Sequence, residues 1–375
     1  MTGSGPVGVA LIGAGNISGQ YLKSLSGFAD VEVLAIADID PARAAIAAEE
    51  YGVPVSGGVD DALAVPEVEL VVNLTVPVAH AEVALAALRA GKHVYGEKPL
   101  TATPAEGEKV LAEAAELGLL VGNAPDTFLG AGIQSALRAV RAGKIGTPVS
   151  AWTATQSLGP EGWHPDPAFF YQPGGGPLFD IGPYYLTALV ALFGPVTGVA
   201  ATAARGRATR VVGSGPKAGQ EFPVNVPTHV SALLEFASGP RANSTFSFDS
   251  SVPRTVIEIT GSEGTLSVPD PNKFEGPLKL RPNGADDWAD LPVEGSSAGR
   301  GIGVVEMARA LRSGEPHRAS GTLALHVLKT MAAIAESAES GEFRRPGAPA
   351  SPRLGEPVAP EPLPLDWDPA AATLL

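Results

Sequence analysis

Five apolar, β-branched stretches, separated by helical stretches, constrain the fold of this chain more than any other feature. They cover residues 7–12, 31–37, 68–75, 93–95 and 119–122. Because continuous apolar strands of this kind are buried on both faces, they predict parallel β-α-β units. Between the last two, Thr103 and Pro104 are a predicted N-cap and first helical residue. Residues 1–125 are therefore predicted to form an α/β domain with a doubly wound, Rossmann-type parallel sheet.

The pattern changes after Pro125. Residues 230–236, 242–248, 255–260 and 264–268 are short, β-rich and separated by glycine-containing turns, which is typical of antiparallel hairpins. Helices are predicted at 304–311 and 322–338. We expect 126–344 to be an α+β domain with a large open, mostly antiparallel sheet that binds substrate and mediates oligomerisation. Residues 345–375 are predicted to be a proline-rich tail over the surface.

Charge and composition exclude several classes of function. The net charge is −14 and no cluster of Lys or Arg stands out, so neither nucleic acid nor a membrane is an expected partner. The absence of cysteine excludes disulfides and thiolate metal sites. No signal peptide fits before Val7 and no apolar run is long enough to span a bilayer, so a cytoplasmic location is expected.

A glycine-rich turn follows the first predicted strand directly. It runs Gly13-Ala14-Gly15-Asn16-Ile17-Ser18 and opens a helix, so its backbone amides and the helix N-terminus can face a pyrophosphate. Ser18 replaces the third glycine of the usual motif, yet it is small enough for close helix packing. The alternative is a tight strand-to-helix turn without a ligand. We expect Gly13, Gly15, Asn16 and Ile17 to bind a dinucleotide.

An acidic residue, Asp38, ends the second strand, where a carboxylate can accept hydrogen bonds from the adenosine ribose. A 2′-phosphate would meet the like charges of Asp38 and Asp40, so NAD is favoured over NADP. The alternative role is to cap the helix that starts at Pro41, but Asp40 fits that position better. Asp38 is thus the predicted ribose ligand.

Two further loops are predicted at the carboxyl edge of the same sheet. Thr75 and Pro77 belong to a loop that is suited to hold the nicotinamide ribose, while His80 at the following helix start either contacts cofactor or only stabilises the loop. Glu97 and Lys98 close the next strand, where a lysine lies beside the expected cofactor. The alternative for Lys98 is an ordinary surface lysine, which its apolar flanks disfavour.

These segments together resemble the glucose-fructose oxidoreductase, inositol dehydrogenase and rhizopine catabolism (Gfo/Idh/MocA) family of NAD(P)-dependent oxidoreductases. The resemblance rests on the glycine turn, Asp38, Thr-x-Pro-x-x-His at 75–80 and Gly-Lys-His-Val-Tyr-Gly-Glu-Lys-Pro-Leu at 91–100. It extends to Gly-Gly-Gly-Pro-Leu-Phe-Asp-Ile-Gly-Pro-Tyr at 174–184 and to Glu-Pro-His-Arg-Ala-Ser at 315–320. It therefore covers most of the chain.

The resemblance implies three catalytic residues. Lys98 hydrogen-bonds the reacting hydroxyl, Asp180 orients Lys98 or a substrate hydroxyl, and the residue at 184 relays the proton. Many inositol dehydrogenase relatives have histidine where Tyr184 stands, so the substrate branch stays open. The alternatives are that Asp180 caps a helix beginning near Gly182 and that Tyr184 packs with Tyr185.

An aromatic segment in the second domain suggests the substrate. It contains Trp163, His164 and, further on, Phe169 and Phe170, a mixture of flat rings and polar groups that suits the faces and hydroxyls of a sugar or cyclitol. An ordinary surface loop is an equally open alternative. Asp126 and Phe128 are expected to face the same cleft. His164 and Asp166 lack further ligands at metal-binding spacing, so no metal is expected.

Three functions are compatible with these residues. The leading one is a dehydrogenase or ketoreductase that moves a hydride between nicotinamide and a carbon of a sugar, cyclitol or related polyol. The others are an NAD-retaining glycoside hydrolase or lyase of the same fold and a non-catalytic sugar or NAD sensor. Lys98, Asp180 and Tyr184 together argue against the sensor. An apolar open sheet face predicts a homodimer or homotetramer.

Overall fold

The computed structural model describes residues 4–347 and 358–374. In chain order the strands are β1 (Val7–Ile12), β2 (Val31–Ala37), β3 (Val55–Gly57), β4 (Val68–Asn73), β5 (His93–Gly96), β6 (Val121–Asn123), β7 (Pro148–Gln156), β8 (Val196–Ala204), β9 (Thr209–Val211), β10 (Glu221–Pro223), β11 (His229–Phe236), β12 (Arg241–Ser247), β13 (Arg254–Gly261), β14 (Gly264–Ser267), β15 (Leu278–Pro282) and β16 (Ala289–Leu291). The α-helices are α1 (Ser18–Leu25), α2 (Pro41–Tyr51), α3 (Val59–Leu63), α4 (His80–Arg89), α5 (Pro104–Leu117), α6 (Ala131–Arg141), α7 (Gly176–Asp180), α8 (Gly182–Phe193), α9 (Ile302–Ser313) and α10 (Gly321–Ser340).

The described residues divide into two compact units. The first contains 4–131, 294–328 and 358–374, and the second contains 132–293 and 329–347. Ranges 294–328 and 358–374 thus fall in the first unit, whereas the sequence analysis placed them in the second domain and the tail. A physical reason for the last range is Asp30, whose carboxylate accepts hydrogen bonds from the backbone N–H groups of Thr373 and Leu374 at 2.8 and 2.9 Å. Residues 348–357 of the predicted tail lie outside the described residues.

A six-stranded parallel sheet forms the centre of the first unit. Its order is β3-β2-β1-β4-β5-β6, and every pairing is parallel. All residues of β1 are buried, as expected for a strand covered on both faces. The carboxyl ends of the strands therefore lie along one edge, where the strand order reverses between β1 and β4. This confirms the predicted fold class for the amino-terminal part.

The predicted helix starts in this unit are confirmed at two N-caps. Thr103 and Glu106 form a capping box, in which the Thr103 N–H donates to the Glu106 carboxylate at 3.0 Å and the Glu106 N–H donates to the Thr103 hydroxyl at 3.3 Å. Asp40 accepts a hydrogen bond from the Ala42 N–H at 3.1 Å, at the start of α2. Polar side chains thus satisfy backbone donors that the helices leave open.

The strand β4 ends two residues earlier than predicted. The Asn73 side chain accepts hydrogen bonds from the N–H and the hydroxyl of Thr75, at 3.2 and 2.6 Å, and turns the chain. Thr75 therefore lies in a loop rather than in the strand. The loop continues through a short 3-10 helix, Pro77–Ala79, into α4.

The second unit contains an eight-stranded sheet with the order β16-β15-β14-β13-β7-β12-β11-β8. Its pairings are antiparallel except for the parallel pair β7 and β12, which confirms the predicted mostly antiparallel sheet. On one side, Tyr185 of the buried helix α8 contacts Phe246 of β12 edge to face. On the other side, Trp152 and Leu233 are 44% and 59% exposed.

Candidate active site

The turn after β1 has the geometry of an anion-binding loop. Gly13 has φ +109°, and a Cβ there would lie 2.7 Å from the backbone carbonyl of Leu74, so the turn requires glycine. A Cβ at Gly15 would meet nothing within 4 Å. Among the described residues, no backbone or side-chain oxygen accepts a hydrogen bond from the N–H groups of Gly15, Asn16 or Ile17. Open amides at the start of α1 fit a pyrophosphate.

Ser18 takes the place of the third glycine without disturbing the turn. Its side chain is buried, and its hydroxyl donates to the carbonyl of Gly15 at 2.7 Å. The serine thus stabilises the turn from the helix side while Gly15 stays exposed on the other side.

Asp38 lies directly beneath this turn. One carboxylate oxygen accepts from the Ala14 N–H at 2.7 Å, and the other accepts from the Asp40 N–H at 2.9 Å. Each carboxylate oxygen has a second acceptor position. Asp38 can therefore hold the turn and still accept hydrogen bonds from two ribose hydroxyls.

The loop after β4 is anchored by His80, which is only 1% exposed. Its Nδ1 lies 2.7 Å from the carbonyl oxygen of Pro99, and its Nε2 lies 3.0 Å from that of Thr75. Both ring nitrogens therefore face backbone of the protein, which favours the loop-stabilising role over direct contact with cofactor. Pro77 is exposed at the tip of the loop.

Glu97 fixes the backbone at the end of β5. Its N–H donates to the carbonyl of Asn73 at 2.8 Å, and its carboxylate accepts from the Tyr21 hydroxyl and from the Lys98 N–H, each at 2.9 Å. Burial, and next the charge of Glu97, raise the pKa of Tyr21 well above its ordinary value, so the phenol stays a donor. Lys98 is partly buried at the carboxyl edge of the sheet, unlike an ordinary surface lysine.

Asp126 and Phe128 do not have the placement that the sequence analysis expected. Both are buried, at 0% and 1% exposure. The Asp126 carboxylate accepts from the backbone N–H groups of Gly301 and Gly303, at 2.7 and 3.2 Å, at the start of α9. Burial raises its pKa to about 6, opposed by nearby Arg300 and by these N–H groups. We therefore assign Asp126 to the cap of α9 and not to substrate.

In the second unit, Asp180 and Tyr184 flank the junction of two helices. Asp180 is the last residue of α7 and is partly buried, while Tyr184 is in the first turn of α8 and is buried. The N-cap position of α8 is Ile181, which carries no side-chain cap, so Asp180 lies one residue before that position. The neighbouring Tyr185 contacts Phe246 edge to face.

Trp163 and His164 lie in an exposed aromatic cluster of the second unit. Trp163 is 69% exposed and contacts the His164 ring edge to face, and His164 makes similar contacts with Phe169 and Phe170. The His164 Nδ1 accepts from the Asp166 N–H at 3.1 Å, a turn rather than a ligand pair. Within the described ranges, no group of three or more His, Asp or Glu side chains is placed to hold a metal ion.

A buried ionic network lies beneath this aromatic cluster. Arg210 forms salt bridges with Glu161 and Asp249, and Tyr171 donates to Glu161. The guanidinium also donates to the carbonyls of Leu158 and Phe248, at 2.7 and 2.8 Å. The exposed rings are thus presented by an ordered support, as a binding surface requires.

Two residues of the first unit, Tyr21 and Asn73, were missed by the sequence analysis. Tyr21 supports Glu97, and Asn73 contacts both Thr75 and Glu97. Each had a signal in the sequence: Asn73 is a polar residue that ends an apolar strand, and Tyr21 is on the inward face of the helix that follows the glycine turn.

Taken together, the sheet order, the open amides after β1 and the carboxylate after β2 define a dinucleotide-binding Rossmann domain. Comparison with known families agrees. Residues 7–124 match the family described as "Oxidoreductase family, NAD-binding Rossmann fold", and residues 133–267 match the "GFO/IDH/MocA C-terminal domain". The chain belongs to the GFO/IDH/MocA family of oxidoreductases, and the resemblance seen in the sequence is confirmed.

Several characterised proteins are similar over most of their length. The dTDP-3,4-didehydro-2,6-dideoxy-alpha-D-glucose 3-reductase of Saccharopolyspora spinosa is 29% identical, covering 82% of this chain and 89% of that protein. The 1,5-anhydro-D-fructose reductase of Ensifer adhaerens is 28% identical, covering 68% and 74%. The aldose-aldose oxidoreductase of Caulobacter crescentus, solved with glycerol, has a TM-score of 0.78 and 22% identity over 91% of this chain and 99% of that one; this structural match concerns the fold alone.

No helix within the described ranges combines the length and the apolarity needed to cross a bilayer.

Proposed function

We propose that this oxidoreductase moves a hydride between NAD and a carbon of a sugar, cyclitol or related polyol. The observation that carries the proposal is the first unit's edge, where Lys98, Asp38 and the open amides of the glycine turn follow strands of one parallel sheet. The sugar reductases named above support a CH–OH or keto group as the reacting centre. A cytoplasmic location for the enzyme stays a prediction from the sequence.

Lys98 is the proposed acid and base. Bound NAD supplies or accepts the hydride at the reacting carbon. In the oxidation direction, the Lys98 amine accepts the proton that the substrate hydroxyl loses, and in reduction the ammonium returns it to the new alkoxide oxygen. As the family resemblance implies, the proposed role of Asp180 is to orient Lys98 or a substrate hydroxyl, and that of the Tyr184 hydroxyl is to relay the proton. We assign catalysis to Lys98, Asp180 and Tyr184.

The first test of this assignment is Lys98→Ala. Loss of the acid and base is expected to lower turnover by at least about a hundredfold, while NADH binding, measured by fluorescence, stays within a few fold. The substrate for this test is found by screening a panel of sugars, cyclitols and their keto forms, with NADH absorbance as the measurement. Turnover near that of the wild type would remove the role of Lys98, and substrate consumption without net NADH would favour the hydrolase or lyase.

A lysine at the opposite end of β5 is a matched control. The Lys92 ammonium donates to the carbonyls of Val65 and Val68, at 3.1 and 2.7 Å. Lys92→Ala therefore removes the same charge and two hydrogen bonds from the same sheet. It is expected to lower thermal stability and to leave turnover unchanged.

The preference for NAD over NADP is proposed to depend on Asp38. A carboxylate accepts ribose hydroxyls and repels a 2′-phosphate. Asp38→Ala is expected to raise the Kd for NAD by about tenfold and to change that for NADP much less. An unchanged ratio of the two would mean that the ribose is recognised elsewhere.

We propose that Gly13, Gly15, Asn16 and Ile17 bind the pyrophosphate, with Thr75, Pro77 and Glu97 shaping the nicotinamide site. Trp163 and His164 are the proposed substrate contacts in the second unit, because the exposed Trp163 ring offers a flat apolar face for C–H bonds and the partly buried His164 ring beside it offers a polar group. Trp163→Ala is expected to raise KM for a polyol substrate by about tenfold without lowering kcat. An unchanged KM would return Trp163 to an ordinary surface loop.

We also propose that the second unit, which contains most of the predicted domain 126–344, carries substrate binding and oligomerisation. The exposed sheet face presents Trp152 and Leu233 in one row, joined through Asn243, and apolar side chains on an open face favour pairing with a second copy. Light scattering is expected to give a dimer or tetramer, and Trp152→Lys with Leu233→Glu to weaken it. A monomeric wild-type protein would contradict this.

A further inference from the structure

The loops that follow β4 and β5 are tied together by a ring of hydrogen bonds. The carbonyl of Asn73 accepts from the Glu97 N–H at 2.8 Å, and the Asn73 side-chain amide donates to the carbonyl of His80 at 3.0 Å. The His80 imidazole then reaches Thr75 and Pro99. The ring thus begins and ends at the two strand termini and passes through both loops.

His80 closes this ring through its side chain. Backbone carbonyl oxygens can only accept hydrogen bonds, so a neutral imidazole donates to one of the Thr75 and Pro99 carbonyls and packs against the other, whereas the doubly protonated ring donates to both. The imidazole is buried, and Thr75 and Pro99 are partly buried. Loss of the imidazole therefore removes a hydrogen-bond partner of a partly buried carbonyl. The two loops are therefore expected to keep one relative position.

The relative position of the two loops affects Lys98, because hydrogen bonds hold the backbone on both sides of this residue. Its own N–H donates to the Glu97 carboxylate, and the next carbonyl, that of Pro99, contacts His80 at 2.7 Å. The direction in which the Lys98 side chain leaves the backbone is thus set by contacts on both sides. Because the same imidazole also contacts Thr75, it links the backbone next to Lys98 to the loop that contains Thr75 and Pro77.

We propose that His80 is a positioning residue. It couples the Thr75–Pro77 loop to Lys98, so that the Lys98 amine keeps a constant position relative to the loop that holds the nicotinamide. The inference rests on the proposed function, in which Lys98 transfers the proton and the loop holds the nicotinamide ribose. It assigns to His80 an effect on kcat and little effect on NAD affinity, because the glycine turn and Asp38 are not part of the ring.

Three variants test this. His80→Leu removes the donors at similar size, and His80→Gln restores an amide with two N–H donors. His93→Leu is the matched control, since His93 also serves this sheet through one hydrogen bond, from the Leu120 N–H to its Nδ1 at 2.9 Å, but at the amino end of β5. Both leucine variants remove a partly or fully buried imidazole from the same unit.

Hydrogen–deuterium exchange of the enzyme gives the direct readout of coupling. In His80→Leu, peptides covering 74–80 and 96–101 are both expected to exchange at least about tenfold faster, because the ring that joins them is open. In His93→Leu these peptides should not change. Faster exchange in one loop alone, or in neither, would overturn the coupling, and this result does not depend on knowing the substrate.

Kinetics with the best substrate of the panel tests the link to catalysis. His80→Leu is expected to lose roughly a hundredfold in kcat, because small misplacement of a catalytic group has effects of that size, and NADH affinity should change less than about threefold. His80→Gln should recover at least about tenfold of the loss, and it replaces the leucine variant if that protein does not fold. Wild-type kcat in folded His80→Leu, or an equal loss in His93→Leu, would overturn the positioning role. Failure of the wild type to oxidise or reduce any panel compound would instead refute the proposed function.

Discussion

The two edges of the six-stranded sheet hold their carboxylates in different ways. At the amino edge, Asp30 pairs with Arg309 at 2.7 Å, and Glu69 pairs with Arg312 at 2.6 Å. At the carboxyl edge, Asp38 is held by two backbone N–H groups, and Glu97 by a tyrosine hydroxyl and a backbone N–H. The first set is bound by charged partners and the second by uncharged ones.

The difference separates stability from recognition. An arginine neutralises the carboxylate that it binds, so an ion pair at the amino edge contributes to folding and leaves little charge for a ligand. Backbone N–H groups orient a carboxylate and leave its net charge in place. The carboxyl edge therefore keeps negative charge at the proposed ribose site and next to Lys98 in the chain, and mutations at the two edges should have different readouts.

The largest stability effect is expected at the amino edge, from Asp30→Asn. Asp30 is fully buried and also accepts hydrogen bonds from Thr373, so removing its charge leaves Arg309 without its carboxylate partner. Breaking such a pair costs about 3 to 5 kcal/mol. Chemical denaturation at neutral pH should show this loss, with turnover of the remaining folded enzyme unchanged.

The pH dependence of this effect has a definite sign. Burial alone would raise the pKa of Asp30, but hydrogen bonds from Thr373 and Arg309 lower it below its ordinary value. A lowered pKa in the folded state contributes stability above about pH 4, which is lost as pH falls through the folded pKa. The surface pair Arg89–Glu113 is the control, and Glu113→Gln should cost clearly less stability than Asp30→Asn, because water and salt screen an exposed pair. Equal costs for the two pairs would contradict the proposed difference.

The opposite pH dependence is expected at the carboxyl edge, for Asp126. Burial raises its pKa to about 6 in the folded state, compared with about 4 in an unfolded chain. Its contribution is therefore present below about pH 4 and lost as pH rises through 6. Relative to Asp126→Asn, the wild type should lose roughly 2 to 3 kcal/mol of stability across that range, since one pKa unit is worth about 1.4 kcal/mol. Parallel stability profiles of the two proteins would contradict this assignment.

The parallel sheet was more predictable from sequence than the antiparallel one. In β1 and β2 the predicted and observed bounds agree, because strands buried on both faces are continuously apolar. Strands β7 and β8 were missed, since their alanines and threonines give a weak pattern. Strand β3 has only three residues and depends on pairing with β2, which no local pattern reveals.

The site was predictable where its residues depend on the local chain. The glycine turn, Asp40 as a cap and Lys98 at a strand end all follow from neighbouring residues. Asp126 was assigned wrongly because the N–H groups that it binds come from Gly301 and Gly303, about 175 residues further on. Such a contact depends on how α9 packs in the folded unit, so the sequence around residue 126 does not predict it.

The smallest effect distinguishes two buried tyrosines of the first unit. Tyr21 and Tyr95 are both fully buried, but Tyr21 donates to Glu97 at 2.9 Å, whereas the Tyr95 hydroxyl has no hydrogen-bond partner among the described residues. Tyr21→Phe and Tyr95→Phe thus make the same chemical change with different consequences for the carboxyl edge.

Tyr21→Phe is expected to cost about 1 kcal/mol of stability and to lower kcat a few fold, because the Glu97 carboxylate loses a donor and orients Lys98 less well. Tyr95→Phe should be neutral or stabilising by up to about 1 kcal/mol, because it removes a buried hydroxyl that lacks a partner, and kcat should not change. Thermal denaturation and steady-state kinetics of the two variants, measured together, decide the matter. If both lose stability and activity equally, Glu97 is not held by Tyr21 in the way that the geometry indicates, and the carboxyl edge must orient Lys98 through the His80 side of the ring alone.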